Sequence, residues 1–372
     1  KWDNQPGSPA AAQEALLRAS QIAQTAPRGP VYINLEVKMQ EQKIGAMPPL
    51  PDAARFPVPP MVRPAPELVA QAAKLLSSAK NPVILAGRAS RSMTGWNERI
   101  ALAEKLDAPV LSSIKLAASF PTTHRLHPIP PFQGLPKSAA ALIKSADVIL
   151  ALDWLDLAGT FKQAYGGEAI GAKVIHVSCD AHSHRGWSAD YQGLPPADVY
   201  MLCETDAVVP LLLEACAKRK SSVALPAKPA LPPVPDAVSL RTVAVALEEA
   251  TRGVAVSYTR LPLGWNGGYT QFTDPLSYIG HDGGAGVGSG PGMTVGVGLA
   301  LKCSGRVPIC LMGDGDFLMG NTALWTATHY KIPCLFIVCN NRSFFNDERH
   351  QGRMAINRGR PEEKQDERAD DR

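Results

Sequence analysis

The stretch from Val307 to Ser343, VPICLMGDGDFLMGNTALWTATHYKIPCLFIVCNNRS, decides how the rest of the chain is read. Its first apolar run, Val307 to Met312, reads as a buried strand that breaks at Gly313-Asp314-Gly315. A helical segment follows, and a second apolar run from Cys334 to Cys339 ends at Asn340-Asn341. This is a strand-helix-strand unit with polar residues at the carboxyl ends of both strands. In open parallel sheets ligands bind at that edge, so an Asp and an Asn delivered there side by side present two oxygen ligands to a hard cation.

The 372 residues suffice for two or three domains, and 45% hydrophobic with 19% charged residues is ordinary for a soluble globular protein. A formal charge of +4, with no Lys/Arg cluster interleaved with aromatics, argues against nucleic acid as a partner. No apolar run reaches the roughly 18 residues of a membrane span, and the polar start KWDNQPGSP is no signal peptide, so a cytoplasmic protein is expected. The seven cysteines (Cys179, Cys203, Cys216, Cys303, Cys310, Cys334, Cys339) are scattered through apolar runs and read as reduced core residues. His182 and His184 lack Cys or carboxylate partners at ligand spacing and read as a polar surface turn.

Working outward, residues 1–36 carry one helical pattern (AAQEALLRASQIAQTA) and one strand (VYINLEV), which together look like the end of a domain. The proline-dense segment from Met47 to Pro66 reads as an extended linker. Beyond it helices alternate with apolar strands: Pro66 to Ser78, PVILAG, Asn97 to Leu106, APVLSS, Lys137 to Ser145, DVILAL and AKVIHVSCD. That alternation predicts a parallel sheet covered on both faces, a Rossmann-like α/β domain over residues 67–219. Its first strand ends in AGRASRS with one glycine where a dinucleotide fingerprint needs three, and Asp180 serves equally as a ribose-facing acid or as a turn former. A second proline-rich linker lies within residues 220–235. An amphipathic helix (SLRTVAVALEEA) and a strand (GVAVSY) follow, then the glycine-rich HDGGAGVGSGPG, with a helix expected only from Met293 to Leu301. Glycines feeding a helix amino terminus suit close approach of backbone to a phosphate or a flat ligand. The charged residues 361–372 are expected to be disordered.

The glycine segment, the Gly313-Asp314-Gly315 turn and Asn340-Asn341 in this order resemble the thiamine diphosphate-dependent enzymes of the acetolactate synthase and 2-oxoacid decarboxylase group. APRGPVYINL resembles the last strand of that family's pyrimidine-binding domain (residues 1–46), AKVIHVSCD and PADVYMLCETDAVVPLLLEA its central domain, and residues 236–360 its diphosphate-binding domain. The resemblance implies thiamine diphosphate and Mg2+ as cofactors, with Asp314, the Asn341 side chain and the Ser343 carbonyl as metal ligands. Asp316 is a second acid available by composition. The resemblance also implies cofactor contacts from Gly286, Val287, Gly288, Gly313, Gly315, Asp316 and Phe344, with backbone amides around Gly315 and Asp316 facing the diphosphate. Val287 would be the apolar support on which the cofactor bends, a slightly small one for the family. Phe344, Phe345 and Asp347 either line the substrate side or are core packing and a helix start.

The implied activity is decarboxylation and carboligation of 2-oxo acids, in a homo-oligomer whose active site lies at the subunit interface. FAD or an adenine nucleotide in the central domain is compatible with the family but has no motif here. The family's proton-relay glutamate would lie before Lys1, and neither Glu14 nor Glu36 has a matching context. The end of the diphosphate domain is also expected to be missing, which makes the chain a fragment, inactive alone. Two other readings stand beside it: a non-catalytic homologue serving assembly, and a nicotinamide-dependent dehydrogenase, the latter disfavoured by the missing glycine fingerprint.

Overall fold

Continuous apolar runs separated by helix-spaced segments do build parallel sheets, as the computed structural model of the chain shows; it describes residues 2–180, 193–220, 225–281 and 286–361. His182, His184, the first glycines of the glycine-rich segment and residues 362–372 lie outside the described residues. The chain divides into two compact units, one of Lys1–Leu111 with Leu135–Pro226, the other of Ser112–Gly134 with Ala227–Arg372.

The first unit begins with β1 (Trp2–Asn4), α1 (Pro9–Gln24) and β2 (Val31–Ile33), the two strands pairing in parallel. A short α2 (Val37–Glu41) precedes the proline-rich segment. Then come α3 (Pro66–Ser78), β3 (Pro82–Ala86), α4 (Met93–Leu106), β4 (Val110–Ser112), α5 (Lys137–Ser145), β5 (Val148–Leu152), α6 (Leu157–Tyr165), β6 (Lys173–Val177), β7 (Val199–Met201) and α7 (Thr205–Ala215). The sheet order is β4-β3-β5-β6-β7, with β3, β5, β6 and β7 paired in parallel. Every residue of β3 and β5 is buried, as expected for strands covered on both faces, and α3 contributes Val69, Ala72, Ala73 and Leu76 to the core. The helix expected from Asn97 begins earlier, at Met93, because the Ser92 hydroxyl accepts the Gly95 N–H at 3.4 Å and caps it.

The second unit carries α8 (Leu240–Ala250), β8 (Val256–Arg260), α9 (Ser289–Ala300), β9 (Val307–Gly313), α10 (Asp314–Gly320), α11 (Ala323–His329), β10 (Leu335–Cys339) and α12 (Phe345–Asn357). Its parallel sheet runs β10-β9-β8. Val295 of α9, Ala327 of α11 and Ile332 form a core cluster against which Phe336 of β10 packs. The sequence reading starts α9 at Met293; the helix starts at Ser289. Gly290 and Pro291 fall in its first turn, where a missing proline N–H costs nothing, and Gly290 packs over Cys310, Met312 and Asp316. Residues 112–134 pack within this second unit. The Tyr278 hydroxyl donates to the Ile114 carbonyl at 2.9 Å, the Ala118 N–H to the Tyr278 carbonyl at 2.9 Å, and the Phe272 N–H to the Thr122 hydroxyl at 2.9 Å.

Candidate functional site

The candidate site lies at the carboxyl edge of the second unit's sheet. The register of β9 on β10 sets Gly313 opposite Cys339, so the chain leaves both strands at the same level. Asp314, the first residue of α10, and Asn340-Asn341, just past β10, therefore emerge side by side. The loop after β10 is shaped by its own side chains. The Asn340 side-chain oxygen accepts the Arg342 N–H at 3.0 Å, the Asn341 side-chain oxygen accepts the Ser343 N–H at 3.3 Å, and Arg342 takes a left-handed φ of 56°. The Ser343 hydroxyl hydrogen-bonds Glu348.

The two acids of the Gly-Asp-Gly-Asp turn are differently placed. Asp316 is engaged within the chain: one carboxylate oxygen accepts the Gly288 N–H at 2.5 Å and the other pairs with the Arg260 guanidinium at 3.0 Å. Asp314 is half-buried in the same first turn of α10, and no hydrogen bond or ion pair ties its carboxylate to another described residue. Both acids sit where the helix dipole favours negative charge. A cation at this edge would find one carboxylate, the Asn341 amide oxygen and backbone carbonyls. Such a donor set leaves several positions of a six-coordinate Mg2+ to phosphate oxygens and water, the usual way Mg2+ is held. No group of three or more His, Cys, Asp or Glu placed to hold a metal ion occurs among the described residues.

The glycines place backbone against backbone. A Cβ at Gly315 would lie 2.4 Å from the Phe344 ring, which covers this turn while remaining 49% exposed. Gly288 has φ of 90°, open to glycine, and a Cβ there would meet the Met319 Cβ at 2.9 Å. The Gly286 carbonyl accepts the Ser289 hydroxyl at 2.7 Å, closing the turn that leaves the Val287 side chain 56% exposed. Val287 and Phe344 are thus exposed apolar groups beside a polar turn, a cradle suited to a ligand with a flat ring at one end and anionic oxygens at the other. Phe345 is exposed with Arg349 over its ring at 5.8 Å, and Asp347 lies in the first turn of α12, in keeping with a helix start.

Beneath the edge, burial pushes the Cys310 thiol up to about 11. Burial and the positive charges of Arg260 and Lys115 hold His281 down to about 4, so its ring is neutral at neutral pH. Arg260 was not singled out in the sequence. The available signal was a charged residue closing the otherwise uncharged strand VSYTR at the ligand-binding edge, but its partner Asp316 is 56 positions away.

In the first unit, Asp180 meets an arginine. The Arg88 guanidinium donates to Asp153 at 2.8 Å and to Asp180 at 2.7 Å, and the Ser178 hydroxyl donates to Asp153 at 2.9 Å. This internal network stands at the carboxyl ends of β3, β5 and β6, where a nucleotide-binding sheet keeps its ligand.

Residues 69–190 match the family described as thiamine pyrophosphate enzyme, central domain, and residues 263–369 match the thiamine pyrophosphate enzyme C-terminal TPP binding domain. The chain is 28% identical over 374 aligned positions to benzoylformate decarboxylase of Pseudomonas aeruginosa, covering 92% of this chain and 63% of that protein. It is 42% identical over 137 positions to a probable sulfoacetaldehyde acetyltransferase of Rhizobium meliloti, covering 36% of this chain and 22% of that one. Among solved structures, benzoylformate decarboxylase from Polynucleobacter necessarius superposes with a TM-score of 0.74 at 22% identity, over 94% of this chain and 65% of that one. The chain therefore spans less than two thirds of the length of these relatives.

Proposed function

The chain belongs to the thiamine pyrophosphate enzyme family, and from that membership we propose that it serves a magnesium-dependent enzyme of 2-oxo acids, performing decarboxylation and carboligation as acetolactate synthases do. The proposed organisation is the end of a pyrimidine-binding domain over 1–46, a central domain over 67–219 and a diphosphate-binding domain over 236–360, with proline-rich linkers between. A homo-oligomer with its active site between subunits is part of the same proposal.

One observation carries the reading: the β9–β10 register delivers Asp314 and Asn341 together, while Asp316 is already committed to Arg260 and Gly288. Asp314 is thereby left as the turn's acid for a cation. Asp314, the Asn341 side-chain oxygen and the Ser343 carbonyl would hold Mg2+, and the N–H groups of Gly315 and Asp316 would donate to diphosphate oxygens. Gly313 has nothing within 4 Å of an added Cβ, which would leave its backbone open to the anion, while Phe344 covers the Gly315 side of the turn. Val287 would support the ring portion from its exposed position, and Phe344 would border it. Thiamine diphosphate, when bound, supplies the electron sink that lets a 2-oxo acid lose carbon dioxide. The chain's own residues anchor, shape and partly desolvate the site.

Calorimetric titration of the protein with thiamine diphosphate, with and without Mg2+, tests this. Saturable binding only with Mg2+, lost in Asp314→Ala and weakened in Asn341→Ala, is expected. Unchanged affinity in folded Asp314→Ala would sink the assignment.

A further inference from the structure

Asp316 and Arg260 form an ion pair at 3.0 Å whose side chains are each only 10% exposed. The Arg260 Nη1 is buried and has no hydrogen-bond partner among the described residues. A guanidinium taken out of water and only partly satisfied is a poor device for stability alone, since an apolar residue of similar volume would fill the space without the desolvation cost. What the pair does achieve is to hold the Asp316 carboxylate aimed at the Gly288 N–H, 2.5 Å away. The same loop rests on α10 at two more points: the Gly288 backbone lies against Met319, and a Cβ at Gly320 would stand 2.3 Å from the Gly288 carbonyl oxygen. The residue before Gly288 is Val287, and the residue that opens α10 is Asp314.

We propose that Arg260 is a positioning residue: by pinning Asp316 it clasps the Val287 loop onto α10 and sets the distance between the apolar support and the metal-binding acid. The inference rests on the cofactor reading above and adds to it a specific device, an ion pair on which the bend of the ligand depends. Without Arg260 the Asp316 carboxylate loses the partner that fixes its orientation and turns toward water, and its hold on the Gly288 amide weakens. Val287 then loses its fixed position while Asp314, Asn341 and Ser343 keep theirs. The consequence is a split: the ring portion of thiamine diphosphate loses its support, and the diphosphate anchor does not.

The test compares the affinities of thiamine diphosphate and of inorganic diphosphate, each with Mg2+, in the wild-type protein, Arg260→Met and Arg260→Lys. Arg260→Met is expected to weaken thiamine diphosphate binding by about tenfold, the low end for a group acting through another residue. Inorganic diphosphate, which has no ring portion, should bind as in wild type, and Arg260→Lys should recover part of the loss by restoring the charge. Equal thiamine diphosphate affinity in wild type and Arg260→Met, or a parallel fall for both ligands, overturns the inference alone. Wild-type protein that binds neither ligand overturns the cofactor reading itself. Should Arg260→Met fail to fold, Asp316→Asn must show the same split, and a loss without it counts equally against the proposal.

Discussion

Replacing Gly320 by Ala should damage the protein although helix propensity predicts the reverse. Gly320 is the last residue of α10 and has no left-handed φ, so alanine fits the backbone and would be worth up to about 1 kcal/mol. The added Cβ, however, would stand 2.3 Å from the Gly288 carbonyl oxygen and 3.0 Å from the Pro291 ring. Neither can swing aside, one being backbone and the other a closed ring in the first turn of α9. Restoring ordinary contact near 3.5 Å requires the loop to retreat by about 1 Å. Overpacking of that kind costs about 1–3 kcal/mol, so a net loss of up to about 2 kcal/mol remains after a propensity gain of about 1 kcal/mol, read in urea denaturation. Because the retreating loop carries Val287, thiamine diphosphate binding should also weaken. Gly296→Ala is the matched control: it lies on the exposed side of α9 with nothing within 4 Å of its added Cβ, and should stabilise by about 0.5–1 kcal/mol. A Gly320→Ala protein as stable as Gly296→Ala, with unchanged cofactor affinity, would refute the close packing of loop on helix.

Two further outcomes follow from buried charge. His127 is 1% exposed, its Nε2 lies 2.8 Å from the Ser112 hydroxyl, and burial together with Lys228 and His124 pushes its pKa down to about 3. The unfolded chain takes up this proton near pH 6.5 and the folded one only near 3, so stability should fall as pH drops between them, by up to about 1.4 kcal/mol per pH unit. His127→Phe should flatten that slope in urea midpoints measured across the range; an unchanged slope would show that His127 is not held neutral. Arg88→Met should cost about 3 kcal/mol by leaving Asp153 buried beside Asp180 without its cation, while cofactor affinity stays as it is. Urea denaturation and the same calorimetric titration check both halves of that statement.

Much of the architecture could be read from the chain because apolar runs and helix spacing are local properties. β9, β10, α3 and α5 lie within a residue of the apolar and helix-spaced segments that predict them. The start of α9 could not be read this way, since the rule against Gly-Pro-Gly in helices was outweighed by packing of Gly290 over Asp316, Cys310 and Met312. Of α12 only a helix start at Asp347 could be read: the weakly apolar sequence beyond it gives little periodic signal, and Glu348 in its first turn is tied to Ser343 by a hydrogen bond that sequence does not announce. The same limit applies at the site. Asp314 and Asn341 announce themselves by ending two apolar strands, whereas the Arg260–Asp316–Gly288 clasp joins three residues that only the fold brings together.

Whether the carboxyl edge of β9 and β10 anchors a divalent cation and the diphosphate it carries can be tested directly. Crystals grown with thiamine diphosphate and Mn2+ in place of Mg2+ would locate the ion by anomalous scattering. One peak is expected about 2.1 Å from oxygens of Asp314, Asn341 and the Ser343 carbonyl, with the Asp316 carboxylate still on Arg260. A peak held by Asp316 instead, or bound thiamine diphosphate with no ion at this edge, would contradict it.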